Sequence, residues 1–424
     1  MANGAPISLV DLLLSMSEAM DLVSPSLVNH QKQVAYIALD LAAEMDWPHD
    51  QQQEVAVAGT LHDAGALSTR EKLQLLQFDA PGLDRHCEAG YRLLRLFGPF
   101  SAAAQMVRYH HTPWSRGAGI QANGQPVPRG SHLLHLADRI AVLVDKGEEV
   151  LSQVPGIREK IEEHSGDLFV PEMVDAFRRL AEKEYFWFDL VSHSIGATLR
   201  RRMVLPALPL ETESVAGIAE MFSYIIDFRS RFTASHSSGL AVNAEALARV
   251  AGFSDEDCRW MRVAGNLHDL GKLAVPTEIL EKPAGLTPQE RDVMRCHTYH
   301  TYRVLEPIAA FERIIAWAAF HHERLDGRGY PFHLAAKDLS VGSRIMAVAD
   351  AYTACMEDRP YRKSMGSRAT VETLQTMARQ SALDPGIVRL LEVHQDEINA
   401  ARCSVQARSQ REYEEFSRPA ESKG

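Results

Sequence analysis

Asn266-Leu267-His268-Asp269-Leu270-Gly271-Lys272 sets an imidazole beside a carboxylate, with a lysine three residues after the carboxylate. His236 precedes this run, and His297, His321, His322 and Asp350 follow it. The order is H…HD…H…HH…D. Neutral nitrogens and anionic oxygens in such number suit a pair of first-row metals such as iron or manganese. Two metals roughly 3.5–4 Å apart can hold a bridging hydroxide and stabilise both the attacking and the leaving oxygen of a displacement. A carboxylate is the natural bridge at that separation. Asp269 is the expected bridge, because it adjoins another ligand, His268.

Moving outward, the pattern occurs twice. His30 precedes His62-Asp63 by the same interval that separates His236 from His268-Asp269. His86 to His110-His111 repeats the spacing of His297 to His321-His322, and Asp138 and Asp350 close the two sets. The flanks agree: Ala58-Gly59-x-Leu61-His62-Asp63-x-Gly65 matches Ala264-Gly265-x-Leu267-His268-Asp269-x-Gly271. Asp21 stands where Asp227 does. The interval from the histidine-aspartate pair to the next histidine is longer in the second copy, which reads as a loop insertion. Internal repetition of this kind marks a tandem of related domains.

Apolar residues at three- and four-residue spacing over 30–46 and 236–252 predict helices, and no convincing strand alternation is present. The fold class expected is all-α, two helical bundles in tandem. Ser254 followed by Asp255, Glu256 and Asp257 predicts a helix N-cap. Pro206-Ala207-Leu208-Pro209 predicts a linker. The domains expected are 1–206, 207–404 and a polar, frayed tail over 405–424.

The chain has 424 residues, 46% hydrophobic and 24% charged, with a formal net charge of −11. This excludes a nucleic acid polymer as a bulk partner, since a phosphate backbone selects a basic surface. Five scattered cysteines form no Cys-x-x-Cys pair, which predicts reduced thiols and a cytoplasmic setting. No segment approaches the roughly 18 apolar residues of a membrane span.

The second half resembles the HD-GYP family of the HD phosphohydrolase superfamily over about Asp227 to Met365. The resemblance rests on His268-Asp269-Leu270-Gly271-Lys272, Val275-Pro276, Leu286-Thr287-Pro288, His297, His321-His322-Glu323, Asp326-Gly327-x-Gly329-Tyr330-Pro331, Ala349-Asp350-Ala351 and Asp358-Arg359-Pro360-Tyr361-Arg362. It implies metal-dependent hydrolysis of a bacterial second messenger, cyclic di-GMP, to the linear dinucleotide or GMP; some members favour a mixed guanine–adenine cyclic dinucleotide. It implies that His236, His268 and Asp350 complete one metal site and His297, His321 and His322 the other, with Asp269 shared. Arg359 and Arg362 match positions that hold substrate phosphates, and Gly329-Tyr330-Pro331 a turn near the substrate, also linked to contact with diguanylate cyclase domains. Members with a third metal carry a glutamate four before His236; Phe232 stands there, so two metals are expected.

Lys272, one helical turn from His268, is expected to neutralise a phosphate oxygen in the transition state. Adjacent His321 and His322 can both face inward only at a helix end, which the turn at Leu325 to Pro331 would supply. Thr353 and Thr301 replace the family's usual aspartate and glycine and are expected to touch the pocket. His30, His62, Asp63, His86, His110, His111 and Asp138 form a second candidate metal site in the first domain. Ala66 replaces the lysine there, and neither the GYP turn nor the arginine run recurs, so that domain reads as a degenerate HD copy. Its bland reading is a regulatory or dimer-forming lobe, compatible with a homodimer. Two rivals to a phosphodiesterase stand: a non-hydrolytic cyclic di-GMP receptor, and a general HD nucleotide phosphohydrolase working through the first domain.

Overall fold

The computed structural model describes residues 8–22, 27–66, 69–78, 84–206, 212–230, 233–358 and 362–417. They divide into two compact units, residues 8–206 and 212–417. Both are helical; the strands among the described residues are one short antiparallel pair, Gln121–Ala122 with Gln125–Pro126. The linker expected at Pro206 to Pro209 lies, beyond Pro206 itself, outside the described residues.

The two units share a five-helix frame. Helices His30–Glu44, His49–Leu61, Asp84–Leu94, Ser101–Arg108 and Arg129–Leu143 of the first correspond to His236–Val250, Asp255–Leu267, Pro288–Leu305, Glu312–Ala319 and Val341–Met356 of the second. Ser254 caps its helix by accepting from the Asp257 amide, as expected. The motif glycines explain the shared flanks. A Cβ on Gly265 would lie 2.5 Å from Ala241 Cα, and one on Gly59 2.6 Å from Ala35 Cα. A Cβ on Gly271 would lie 1.9 Å from the His297 carbonyl oxygen, and one on Gly65 2.1 Å from that of His86. Only glycine lets the histidine-aspartate turn approach the neighbouring helices so closely.

Three expectations need correction. The insertion between the histidine-aspartate pair and the next histidine is not confined to a loop: the helix bearing His297 begins nine residues before it, whereas the one bearing His86 begins two before. The tail does not fray from 405, because Gln395–Ser417 is one helix. Its Gln406, Ser409, Tyr413 and Phe416 form a stripe at helical spacing that meets Ser235, Ser238 and Phe228. The polar majority of the segment masks that stripe in the sequence. The helix before His321 ends at Ala319, well ahead of the Leu325 to Pro331 turn, so the helix end itself frees both histidines to face inward.

Candidate metal centre

Each ligand occupies a helix end or a helix face fixed by backbone. His236 is the first residue of its helix, and His268 caps the end of Asp255–Leu267. His297 sits mid-helix, and Asp350 lies on Val341–Met356. Nδ1 of His268, His297 and His321 lies 2.8, 2.7 and 2.5 Å from the carbonyls of Gly265, Met294 and Ala318, three residues earlier in each case. A carbonyl only accepts, so Nδ1 carries the proton and Nε2 is left as a lone-pair donor. His236 is held differently, its Nδ1 lying 2.8 Å from Glu357 Oε2.

The lone pairs converge. Asp269 Oδ2 lies 3.1 Å from His268 Nε2 and 3.8 Å from His236 Nε2, while its Oδ1 lies 3.5 Å from His297 Nε2. One oxygen thus faces each ligand group, the geometry of a bridge. Asp350 Oδ1 is 3.5 Å from His236 Nε2 and its Oδ2 3.8 Å from His322 Nδ1. His297 and His321 approach to 3.3 Å through their Nε2 atoms. His268 Nε2 is buried without a hydrogen-bond partner among the described residues. A buried lone pair in that state is free to ligate a metal ion. The donor set fits a divalent pair.

Electrostatics point the same way. Burial pushes the Asp269 carboxyl up, but His268 and then Lys272 hold it well below the usual carboxylate range. Burial also opposes the Asp350 carboxylate, which His236, His322 and His321 keep well below that range. Burial drives His297 down to about 3 despite the pull of Asp269, and holds His321 well below the ordinary imidazole value with help from His322 and His268. Ligating imidazoles must be neutral and ligating carboxylates anionic.

The surrounding residues depart from expectation in several places. Lys272 follows on a 3-10 turn, Leu270–Ala274, not on a continuous helix from His268. Its ammonium lies 2.5 Å from Asp269 Oδ2. Thr301 and Thr353 do not reach the pocket; both are fully buried braces. Thr301 accepts from the Gly271 amide and donates to the His268 carbonyl, each at 2.9 Å, and so pins the central turn. Thr353 accepts from Asn243 and donates to the Ala349 carbonyl. Tyr330 meets the His322 ring at a tilt, 4.9 Å between centroids, with the Arg295 guanidinium 4.7 Å from its own ring centre. Gly329 packs on Glu323, whose carboxylate accepts from the Phe332 and Leu334 amides and sets the turn. Arg362 donates to the Ala354 carbonyl. Arg359 and Phe232 lie outside the described residues.

The first unit gathers its seven residues equally well. His30 Nε2 is 3.3 Å from Asp138 Oδ1, His62 Nε2 3.4 Å from Asp63 Oδ2, and His86 Nε2 3.5 Å from Asp63 Oδ1 and 3.3 Å from His110 Nε2. The His111 ring lies 4.1 Å from that of His110. Access differs: the Asp138 side chain is 3% exposed and that of Asp350 14%.

HD-domain family models match residues 27–143 and 220–387. A 3'3'-cGAMP-specific phosphodiesterase of Vibrio cholerae is 31% identical over 390 residues, which cover 89% of this chain and 90% of that protein. This chain is an HD-GYP protein. Another 3'3'-cGAMP-specific phosphodiesterase of V. cholerae is 32% identical over 67% of this chain and 61% of its own length. A cyclic di-GMP phosphodiesterase of Pseudomonas aeruginosa is 38% identical, over 37% of this HD-GYP chain and 38% of its own. A crystal structure of a cyclic GMP-AMP-specific phosphodiesterase of V. cholerae shares the fold, with a TM-score of 0.64 at 23% identity, over 93% of this chain and 98% of that one. Among the described residues, no helix is long and apolar enough to cross a membrane.

The residues that the motifs did not flag are Glu357, Arg295 and Gln406. Glu357 carries little sequence signal: it is the extended residue just past the end of the Val341–Met356 helix that bears Asp350.

Proposed function

We propose that the protein is a metal-dependent phosphodiesterase of 3'3'-linked cyclic dinucleotides, acting at the second-unit centre. The observation that carries this reading is Asp269, whose two carboxylate oxygens face two separate histidine groups and whose Oδ2 also meets the Lys272 ammonium, where the first unit has Ala66. Two divalent ions held there would supply Lewis acidity and a water of lowered pKa. The protein's own residues prepare that chemistry. Backbone carbonyls fix the imidazole tautomers, and Lys272 balances the charge of Asp269 and stands where a phosphate oxygen could be met. Tyr330 offers an aromatic wall beside His322 on the more open side of the cluster.

The mixed guanine–adenine dinucleotide is the first substrate to test, because the relative that shares nearly the whole chain is named for it. Cyclic di-GMP, which the motifs alone put first, is supported by the 38% identity to a cyclic di-GMP phosphodiesterase over a shorter stretch. Purified protein with Mn²⁺ or Fe²⁺ should linearise at least one of the two, read by chromatography of the products. Binding without cleavage of either would favour a receptor. Loss of turnover on substituting His62 and Asp63, with none on substituting His268 and Asp269, would move the active site to the first unit.

A further inference from the structure

The first-unit cluster repeats the seven donors of the second and adds an eighth. The residue after its third histidine is Cys87, buried, with Sγ 3.7 Å from His86 Nε2. Its counterpart is Thr298, whose hydroxyl donates back to the Arg295 carbonyl. The ligand atoms of His86, Cys87, His110 and His111 all lie within 4.8 Å of one another. A tetrahedral zinc with bonds of about 2.0–2.1 Å to nitrogen and about 2.3 Å to sulfur requires donor separations of about 3.3 Å between nitrogens and about 3.5 Å between nitrogen and sulfur. The structure has 3.3 Å from His86 Nε2 to His110 Nε2, and the 3.7 Å above. His110 is aimed by its Nδ1, 2.6 Å from the Val107 carbonyl. His111 Nδ1 is buried with no hydrogen-bond partner among the described residues.

The other half of the cluster is altered in the opposite sense. Arg139 follows Asp138, where the second unit has Ala351 after Asp350. Its guanidinium is buried and lies 2.5 Å from Asp138 Oδ2 through Nη2. It also donates to the carbonyls of Leu75, Gln77 and Phe78, so it is held in place. A permanent cation on that carboxylate opposes a second divalent ion beside it.

We propose that the first unit binds a single zinc ion through His86, Cys87, His110 and His111, so that the chain carries two metal sites of different chemical class. Three imidazoles and a thiolate select zinc over iron or manganese, which the oxygen-richer second site suits. Four protein ligands leave no position for a substrate water, so this site is closed and non-hydrolytic.

The test uses the full-length protein carrying His268→Ala and Asp269→Ala, which disables the second site, and reads metal, not turnover. Elemental analysis after dialysis against mixed zinc and manganese should find one zinc per chain and no manganese. Replacing zinc by cobalt should give a thiolate-to-cobalt charge-transfer band in the near ultraviolet. Adding Cys87→Ser should abolish that band and weaken zinc binding by more than about tenfold, the lower end of what an outer-shell change costs. No charge-transfer band with Cys87 present would overturn the proposal without relying on any substitution at that position. Persistence of the band in the serine variant, or retention of manganese in place of zinc, would overturn it as well. None of these readings depends on the phosphodiesterase assignment.

Discussion

Glu357 should govern how tightly the second-unit centre holds its metal, although it touches none of the converging lone pairs. Its Oε2 lies 2.8 Å from His236 Nδ1, and Gln406 donates to its Oε1. A hydrogen bond to a charged acceptor contributes about 1.5–3 kcal/mol, and one to a neutral acceptor about 0.5–1.5 kcal/mol. Glu357→Gln therefore gives up about 1–1.5 kcal/mol of support for His236, or about tenfold in metal affinity. The glutamine also brings an amide group against Gln406, whose own amide oxygen already accepts from Arg402 and whose nitrogen also donates to the Ser235 carbonyl. Gln406 cannot turn over without losing both bonds, so the decrease should exceed tenfold. Glu357→Ala removes the acceptor altogether and should reach about 100-fold, the upper range for outer-shell partners of ligating histidines. Competition against a chelating fluorophore, with Mn²⁺ titrated into metal-free protein, measures the affinity directly. Turnover at saturating Mn²⁺ should recover most of its value in the glutamine variant. Wild-type affinity in both variants would refute the claim that Glu357 orients His236.

Other perturbations follow from the same geometry. Gly271→Ala should destabilise the second unit by about 3 kcal/mol or more, since its Cβ would collide with backbone, whereas Gly285→Ala, with open space around it, should be nearly neutral; urea midpoints compare the two. Lys272→Met should lower kcat by about 100-fold while leaving metal content unchanged, as removal of one positioned charge does at other anionic transition states; equal loss of metal would assign the lysine to ligand support alone. Burial raises the Asp227 carboxyl to about 7, against the opposing pull of His236 and the hydrogen bonds from Ser237. Its proton is held more tightly folded than unfolded, so in metal-free protein its stabilisation is full below about pH 4 and is lost as pH rises to about 7. The slope should be on the order of 1 kcal/mol per pH unit, absent in Asp227→Asn; identical slopes in urea titrations of both proteins would contradict it.

The helical frame and the converging ligands were legible because helix periodicity and fixed spacing are local signals, and because the chain states its pattern twice. His268 and His62 need the same glycines before and after them, and those glycines stand in the sequence. What was not legible depends on contacts between distant segments. Thr301 reads as a pocket residue until its hydroxyl is found bridging the Gly271 amide and the His268 carbonyl. Glu357 and Gln406 lie 49 residues apart, and no spacing rule connects them. The last helix looked like a tail because one apolar and small-residue stripe among many charges gives a weak periodic signal.

The backbone carbonyls that hold the imidazoles have a consequence for how such a centre can change over time. For His268, His297 and His321 orientation is inherited from the carbonyl three residues earlier, through bonds whose acceptor belongs to the main chain and not to a neighbouring side chain. A neighbouring side chain can then be exchanged, threonine for cysteine or alanine for arginine, without misaiming the donors that remain. A duplicated frame of this kind would let one copy change its donors while the other keeps them.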